Sequence, residues 1–349
     1  MRRVSRIAVA GVATAALAVT VSACGSSSTS SSSSSSDKNL GLALAYDVGG
    51  KGDQSFNDAA TAGLDKADKE FGYKSTAVEP QDGESDADKT QRLETLAKQG
   101  YNPVIGVGFA YAPAVKEVAA KFPKTTFGIV DDNSFQAKNV ANLVFHEEQA
   151  SYLAGVAAAK ATKTNVVGFI GGVDVPLIHK FEAGFKQGVA DTKKGVTVKS
   201  QYLTETAAEG GFSSPDKGES AADGQIDAHA DVLYAAAGLS GQGVIKAAAA
   251  HKVWAIGVDS DQYKQDALAK YKASILTSAM KNVEGAVYGL AKSVHDGKPE
   301  TGEIRGSLAN GGVSLSDSNP TFANDKAIQD AVKKAEDGIK NGSITVKTS

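Results

Sequence analysis

The 349-residue chain is poor in the residues that several classes of protein require. It contains one cysteine, which excludes a disulfide framework and a metal cluster held by several cysteines. Aromatic residues make up only 7%, which suits helices packed closely on sheets better than an aromatic-rich β-sandwich. The net charge is −3, so there is no basic excess to attract nucleic acid. Hydrophobic residues at 42% still suffice for a core, and the length suits two domains.

The first 23 residues have the pattern of a bacterial export signal. Three arginines precede an uncharged stretch, residues 7–21, that is short for a membrane span. Two small residues and then Cys24 follow, an order that resembles the lipobox of bacterial lipoproteins. The resemblance implies cleavage before Cys24 and attachment of diacylglycerol to its sulfur. The alternative is a chance cysteine in an uncleaved anchor. Removal of residues 1–23 takes away the three arginines and changes the net charge from −3 to −6.

After a serine-rich tether, residues 24–37, the chain alternates between strand and helix patterns. The apolar run 40–46 predicts a buried strand, and residues 56–71 place small and apolar side chains on one helical face. The alternation restarts near residue 165. This pattern predicts α/β lobes with parallel sheets, the second beginning near residue 150. Ligands of such sheets bind at the carboxyl ends of the strands, and a cleft between lobes is a favoured site.

Patterns typical of enzymes are missing from the sequence. The five histidines are scattered, and no GxSxG motif is present. Residues 238–243 have the spacing GxxGxG instead of the dinucleotide-binding GxGxxG. Residues 259–261 begin like a calcium loop, but a tyrosine and a lysine stand where a ligand and a glycine belong. We therefore expect no metal, no cofactor and no catalytic activity.

The most specific signal is an ordered set of motifs that begins with the segment DVGGKGDQSFN at residues 47–57. It continues through Phe127–Asp131, Val167–Val173, Phe181–Gly188, Gly211–Phe212, Lys217–Gly218, Gly257–Gln262 and Ser278–Lys281. Each motif is weak alone, but their order over residues 40–345 is specific. The set resembles the basic membrane protein family, also called PnrA-like, whose members are lipoproteins that bind nucleosides for import.

The resemblance implies a type I periplasmic-binding-protein fold. In this α/β fold, two doubly wound lobes with parallel sheets are joined by three crossovers, which by analogy lie near residue 150, near 273–278 and near 305–307. The lobes predicted in this way are residues 38–150 plus 277–306 and residues 151–276 plus 307–349.

The resemblance also implies a ligand site in the cleft between the lobes. Phe56 and Phe212 would sandwich the base of a nucleoside, one ring from each lobe. Asp131 would bind the edge of the base, and Asp259 and Lys281 would hold the ribose hydroxyls. The polar shell would be completed by Asp47, Asn57 and Gly238.

Taken singly, these residues have ordinary alternatives. Asp53 or Ser55 could cap the first helix, which would leave Phe56 in the core. Asp131 and Asp259 could equally be loop carboxylates that cap helices. A surface role for Lys281, and either cleft or core positions for Phe109 and Tyr111, also remain open.

The function expected from the resemblance is that of an extracytoplasmic solute-binding protein, lipid-anchored to the cell membrane. It would capture nucleosides, purine nucleosides in particular, by hinge closure. It would deliver them as a monomer to the permease and ATPase subunits of an ABC importer, with no nucleic-acid partner. The alternatives are a receptor of the same fold for a sugar or another small polar solute, a nutrient-sensing surface receptor, and a secreted enzyme or cell-surface interaction protein.

Overall fold

The computed structural model describes residues 39–81 and 83–349. The predicted signal peptide, Cys24 and the serine-rich tether up to residue 37 lie outside the described residues. Within those ranges, none of the helices combines the length and the apolar character needed to cross a bilayer. The described chain forms two lobes, each built on a six-stranded sheet.

The first lobe has a parallel sheet in the order β11-β5-β4-β3-β1-β2. Its strands are β1 (Ala43–Ala45), β2 (Thr76–Val78), β3 (Val104–Gly106), β4 (Phe127–Val130), β5 (Val140–Phe145) and β11 (Gly302–Gly306). Its helices are α1 (Phe56–Phe71), α2 (Asp86–Gln99), α3 (Ala112–Lys121) and α8 (Val283–His295). Helices α1 and α8 cover one face and α2 and α3 the other, so β1, β3, β4 and β5 are buried at every residue.

The second lobe has its sheet in the order β12-β10-β9-β8-β6-β7, with only β12 antiparallel to its neighbour. Its strands are β6 (Val166–Val173), β7 (Thr197–Thr204), β8 (Val232–Ala236), β9 (Trp254–Asp259), β10 (Ile275–Lys281) and β12 (Val313–Leu315). Its helices are α4 (Glu147–Ala161), α5 (Pro176–Thr192), α6 (Pro215–Asp227), α7 (Gly241–His251), α9 (Pro320–Ala323) and α10 (Lys326–Lys340).

The two sheets repeat one topology. Strands β1 to β5 and β11 of the first sheet correspond in order to β6 to β10 and β12 of the second. The chain crosses between the sheets three times, after β5, after β10 and after β11. This arrangement confirms the predicted α/β class with two doubly wound lobes. It also makes the residues after β4 and β9 structural equivalents.

Two of the predicted lobe boundaries are wrong. All of β10, residues 275–281, belongs to the second lobe, because it pairs with β9 and β12. The crossing to the first lobe therefore lies at Asn282 and not within residues 273–278. Helix α4 packs on α5 from its first turn, where a Cβ atom on Gly184 would lie 2.2 Å from the carbonyl oxygen of Glu148, so the second lobe begins at Glu147 rather than after residue 150. Apolar periodicity identifies a strand or helix, but it does not tell which lobe that element joins.

Helices α4 and α5 pack with their backbones in direct contact at glycines. A Cβ atom on Gly188 would lie 2.0 Å from the carbonyl oxygen of Tyr152, and one on Gly155 would lie 2.2 Å from that of Phe185. Real Cβ atoms do not approach backbone so closely, and the interiors of proteins are too tightly packed to make room without strain. The close approach of these two helices depends on small residues at both positions.

We predict that Gly188→Ala lowers the free energy of unfolding by about 1–3 kcal/mol, because the added methyl group forces the two helices apart. Urea denaturation of the purified protein measures the change. Gly224→Ala is the matched control, since a Cβ atom there meets nothing within 4 Å. This control should stabilise α6 by up to about 1 kcal/mol through helix propensity. Equal effects of the two substitutions would contradict the packing argument.

Candidate ligand-binding cleft

A cleft lies between the two lobes, and its empty space, including the part that is open to solvent, is about 510 Å³. The structure brings all eight residues predicted for the ligand site to its wall: Asp47, Phe56, Asn57, Asp131, Phe212, Gly238, Asp259 and Lys281. They lie at the carboxyl ends of strands, in the loops that follow or in the first turn of α1, so the cleft lies where parallel sheets usually bind ligands.

Two aspartates occupy equivalent positions in the two lobes. Asp131 follows β4 in the first lobe, and Asp259 ends β9 in the second. Both have left-handed backbone conformations, with φ of 67° and 62°. This conformation is uncommon for residues other than glycine, although aspartate tolerates it better than most. The repeated topology thus brings one carboxylate from each lobe to the cleft.

Lys281 lies between these two carboxylates. Its Nζ atom is 2.6 Å from Oδ2 of Asp131 and 3.3 Å from Oδ1 of Asp259, and the side chains are only 4–7% exposed. The ammonium also lies 4.5 Å from the centroid of the Phe56 ring. Although burial opposes the charge, the carboxylates raise the pKa of Lys281 above its usual range. Since Asp131 belongs to the first lobe and Lys281 to the second, this ion pair joins the lobes.

Both aspartates keep one acceptor without a protein donor. Oδ1 of Asp131 and Oδ1 of Asp259 are buried, and neither receives a hydrogen bond from the described part of the chain. The Oδ1 atom of Asp259 is close to the ammonium but does not have hydrogen-bond geometry toward it. Burial raises the pKa of Asp131, against the opposing effect of Lys281. Buried acceptors without partners are costly, so a ligand with hydroxyl or N–H donors would be stabilised here.

Asp53 caps α1 and holds the loop before it. The sequence alone left open whether Asp53 or Ser55 caps this helix. The Oδ1 atom of Asp53 accepts from the backbone N–H of Ser55 and Asp58, and its Oδ2 atom accepts from that of Asn57. The Asn57 side chain in turn accepts from the backbone N–H of Asp47 at 3.0 Å. This network fixes the residues of the first lobe that line the cleft. Asp53 itself lines the cleft, which the sequence did not predict.

Burial raises the pKa of two further carboxyl groups on the first-lobe wall. The pKa of Asp47 is raised to about 7, and that of Asp53 to about 6. The Asp47 side chain sits against Gly108, where a Cβ atom would lie 2.3 Å from Oδ2. Among the described residues, four carboxyl groups and one ammonium therefore line the cleft. An anionic ligand would be repelled, whereas a neutral ligand rich in donors would be favoured.

The two predicted stacking rings come from opposite lobes. Phe56 is the first residue of α1, and Phe212 lies in the loop between β7 and α6. The Phe212 ring packs against Gly172, where a Cβ atom would lie 2.3 Å from the ring. Gly238 accommodates the Phe212 backbone with φ of 53°, and a Cβ atom there would lie 3.2 Å from the Phe212 carbonyl oxygen. Gly238 therefore shapes the wall beneath the ring.

The structure separates Phe109 from Tyr111. Phe109 lines the cleft, whereas Tyr111 is fully buried in the first-lobe core and donates to the carbonyl of Tyr46 at 3.0 Å. The sequence carried a signal for Phe109, since it follows β3 as Asp131 follows β4. Three apolar residues of α5 also line the cleft: Leu177, Ile178 and Phe181. The sequence did not indicate them, because apolar periodicity does not distinguish the helix positions that face a cleft from those that face the core.

Glu147 is a further buried acid that the sequence did not identify. Its side chain is 1% exposed, and its Oε2 atom lies 3.9 Å from Nζ of Lys180 without a hydrogen bond. Burial, and then the charge of Asp131, raise the pKa of Glu147 to about 7. Its charge also raises the pKa of Lys281, so it belongs to the same electrostatic network although it does not line the cleft.

Comparisons with known proteins agree with this architecture. A family model described as "ABC transporter substrate-binding protein PnrA-like" matches residues 42–349. A Lactococcus lactis protein named ABC transporter nucleoside-binding protein BmpA is 38% identical, over 87% of this chain and 88% of its own. An uncharacterised lipoprotein of Pyrococcus horikoshii is 32% identical, over 79% of this chain and 68% of its own.

The fold has a counterpart among solved structures. An ABC transporter solute-binding protein from Aeropyrum pernix K1 superposes with a TM-score of 0.74 and 25% identity. The likeness covers 89% of this chain and 94% of that one. It confirms the predicted type I periplasmic-binding-protein fold.

We predict that Asp47→Asn flattens the pH dependence of stability. Because the pKa of Asp47 is raised to about 7 in the folded protein, the native state holds a proton that the unfolded state has lost between about pH 4 and 7. The free energy of unfolding contributed by this group therefore falls as pH rises through that window. Urea denaturation at pH 4, 6 and 8 measures this change. Relative to the wild type, the free energy of unfolding of the variant should rise by about 2–4 kcal/mol from pH 4 to pH 8.

The control for this experiment is Asp227→Asn, which alters an exposed carboxylate at the end of α6. It should leave the slope of stability against pH as it is in the wild type. A constant difference between Asp47→Asn and the wild type from pH 4 to 8 would show that Asp47 does not titrate as described.

Proposed function

The chain belongs to the family of PnrA-like ABC transporter substrate-binding proteins, and we propose that it captures purine nucleosides in the cleft between its lobes. The observation that carries this proposal is a pair of buried acceptors, one on Asp131 and one on Asp259, that receive no hydrogen bond from the described part of the chain. They flank Lys281 in a cleft with an aromatic ring from each lobe. We propose that the protein binds its ligand without changing it.

Each part of a nucleoside has a complementary group in the cleft. The flat base stacks between Phe56 and Phe212, and stacking on an aromatic side chain is worth about 1–3 kcal/mol per base. Asp131 accepts from an N–H donor on the edge of the base. Asp259 accepts from a ribose hydroxyl, and Lys281 donates to the sugar. Asp47, Asn57 and Gly238 form the rest of the shell.

Hinge closure is the mechanism by which both lobes contact the ligand. Phe56 and Asp131 belong to the first lobe, whereas Phe212, Asp259 and Lys281 belong to the second. An open form would offer only half of these contacts at a time. The ligand therefore stabilises the closed form, because differential contact is what shifts such an equilibrium.

The place of the protein in the cell follows from its N-terminus and its family. Cleavage before Cys24 and lipidation of that residue would anchor the protein on the extracytoplasmic face of the cell membrane. The serine-rich tether, residues 24–37, would leave the lobes free to reach the membrane transporter. We propose that the closed monomer hands its nucleoside to the permease of an ABC importer, which is driven by its ATPase subunits. The lipoprotein name of the Pyrococcus relative supports the anchor.

We predict that calorimetric titration finds tighter binding for adenosine, inosine or guanosine than for the free base, for ribose or for the 5′-monophosphate. The free base lacks the contacts to Asp259, and ribose lacks the stacking. The phosphate meets four carboxyl groups and should weaken binding by at least about 100-fold. Tight binding of a pentose without any nucleoside would favour a sugar receptor instead. Steady conversion of the bound nucleoside would show an enzyme.

We predict that Phe212→Ala weakens nucleoside binding by about 1–3 kcal/mol, because one face of the base loses its stacking partner. Titration with the best nucleoside of the previous experiment measures the loss. Phe135→Ala is the matched control, because Phe135 is half-buried and packs on the first lobe away from the cleft. If both variants bind like the wild type, Phe212 does not stack on the ligand.

A further inference from the structure

Ser55 stands at the N-cap of α1 but does not cap this helix. The side chain of an N-cap serine ordinarily accepts from a backbone N–H of the first turn. Here the Ser55 side chain makes no such bond, and Asp53 accepts from those N–H groups instead. Ser55 is nevertheless completely buried. Its hydroxyl therefore forms a hydrogen bond with a partner outside α1.

That partner lies in the other lobe. Oγ of Ser55 donates to Oδ2 of Asp259 at 2.7 Å and lies 3.2 Å from the carbonyl oxygen of Val258. The carbonyl oxygen of Ser55 accepts in return from Oγ of Ser260 at 2.7 Å. Ser55 of the first lobe thus donates one hydrogen bond to the last residue of β9 and accepts another from the residue that follows this strand.

The neighbours of Ser55 extend this contact between the lobes. The carbonyl of Gln54 accepts from Nε2 of Gln262 at 3.1 Å, and that of Gly52 accepts from Nε2 of Gln242 at 3.0 Å. Gln54 holds its carbonyl in this direction with φ of 56°, a left-handed conformation that is uncommon outside glycine. We call residues 52–55 the latch loop. Its second-lobe partners are Gln242, Asp259, Ser260 and Gln262.

The two carboxylate oxygens of Asp259 have different surroundings. Oδ2 accepts a hydrogen bond from the hydroxyl of Ser55, whereas Oδ1, beside Lys281, accepts none from residues 39–81 and 83–349. Ser55 does not line the cleft, so it can act on a ligand only through Asp259. A hydrogen bond to one oxygen of a carboxylate fixes the orientation of the other.

We propose that Ser55 is a positioning residue that couples lobe closure to the ligand-binding carboxylate of Asp259. Closure brings Ser55 to Oδ2, and this contact orients Oδ1 toward the cleft. The effect of Ser55 on a nucleoside rests on the function proposed above, but its effect on closure does not. The latch loop therefore stabilises the closed arrangement of the lobes, and ligand release requires these bonds to break.

The first test is hydrogen–deuterium exchange of the ligand-free full chain, followed by mass spectrometry. In Ser55→Ala, peptides that cover residues 52–60 and residues 254–264 should both exchange faster than in the wild type. The second peptide is decisive, because loss of a local helix cap would not affect a strand end some 200 residues away. Ser55→Thr keeps the hydroxyl and should restore protection. Unchanged exchange of residues 254–264 in Ser55→Ala would overturn the proposal.

Two further variants control this measurement. Ser85 is also an N-cap serine, but it caps its own helix, α2, through a reciprocal pair of bonds with Asp88. Ser85→Ala should therefore change exchange only near residue 85. Gln242→Ala removes a different bond of the latch loop without altering Ser55, and it should speed exchange at residues 52–60. If Ser85→Ala affects residues 254–264 as much as Ser55→Ala does, the coupling is not specific and the proposal is wrong.

The second test separates this proposal from the proposed function. In stopped-flow measurements with inosine and adenosine, Ser55→Ala should raise the dissociation rate about tenfold and change the association rate by less than about threefold, because a hydrogen bond to a charged group is lost. An unchanged dissociation rate would overturn the positioning role. If neither nucleoside binds the wild type, the proposed function fails, while the exchange experiment still decides whether Ser55 holds the lobes closed.

Discussion

The burial of Lys281 between carboxylates of two different lobes is the constraint on which the rest of the cleft depends. Charges of this kind cost several kcal/mol each to remove from water, and they are tolerated only when they have close partners. The distances of 2.6 and 3.3 Å to Asp131 and Asp259 supply those partners when the lobes are closed. Acidic groups outnumber cations on the described wall of the cleft. A neutral ligand with hydroxyl groups can therefore donate hydrogen bonds to the acceptors that remain.

The repeated topology explains how these groups converge without any sequence repeat. Strands β4 and β9 occupy equivalent places in their sheets, and an aspartate with left-handed backbone follows β4 and ends β9. The carboxyl edges of both sheets face the cleft, so the two acids approach one lysine from opposite sides. The glycines at 108 and 238 follow equivalent strands as well, and both have positive φ. Function in this fold is thus carried by the loops, while the buried strands fix their spacing.

Much of the fold could be predicted from the sequence because local patterns specify it. The observed limits of α1, residues 56–71, are those that apolar periodicity predicts. The lobe to which β10 belongs could not be predicted, because it depends on long-range pairing. The positions of the cleft residues required the family resemblance. Asp53 and Ser55 are both common N-caps, so only the structure could show that one caps the helix and the other crosses to Asp259. Glu147 looked like any acid that opens a helix.

The most direct test of the central claim is a crystal structure of the protein grown with a purine nucleoside. We expect closed lobes with the base between Phe56 and Phe212 and its edge on Oδ1 of Asp131. We also expect a ribose hydroxyl on Oδ1 of Asp259, while Lys281 still bridges the two acids. A nucleoside bound outside the cleft, or closed lobes with both rings turned away from the ligand, would contradict the central claim.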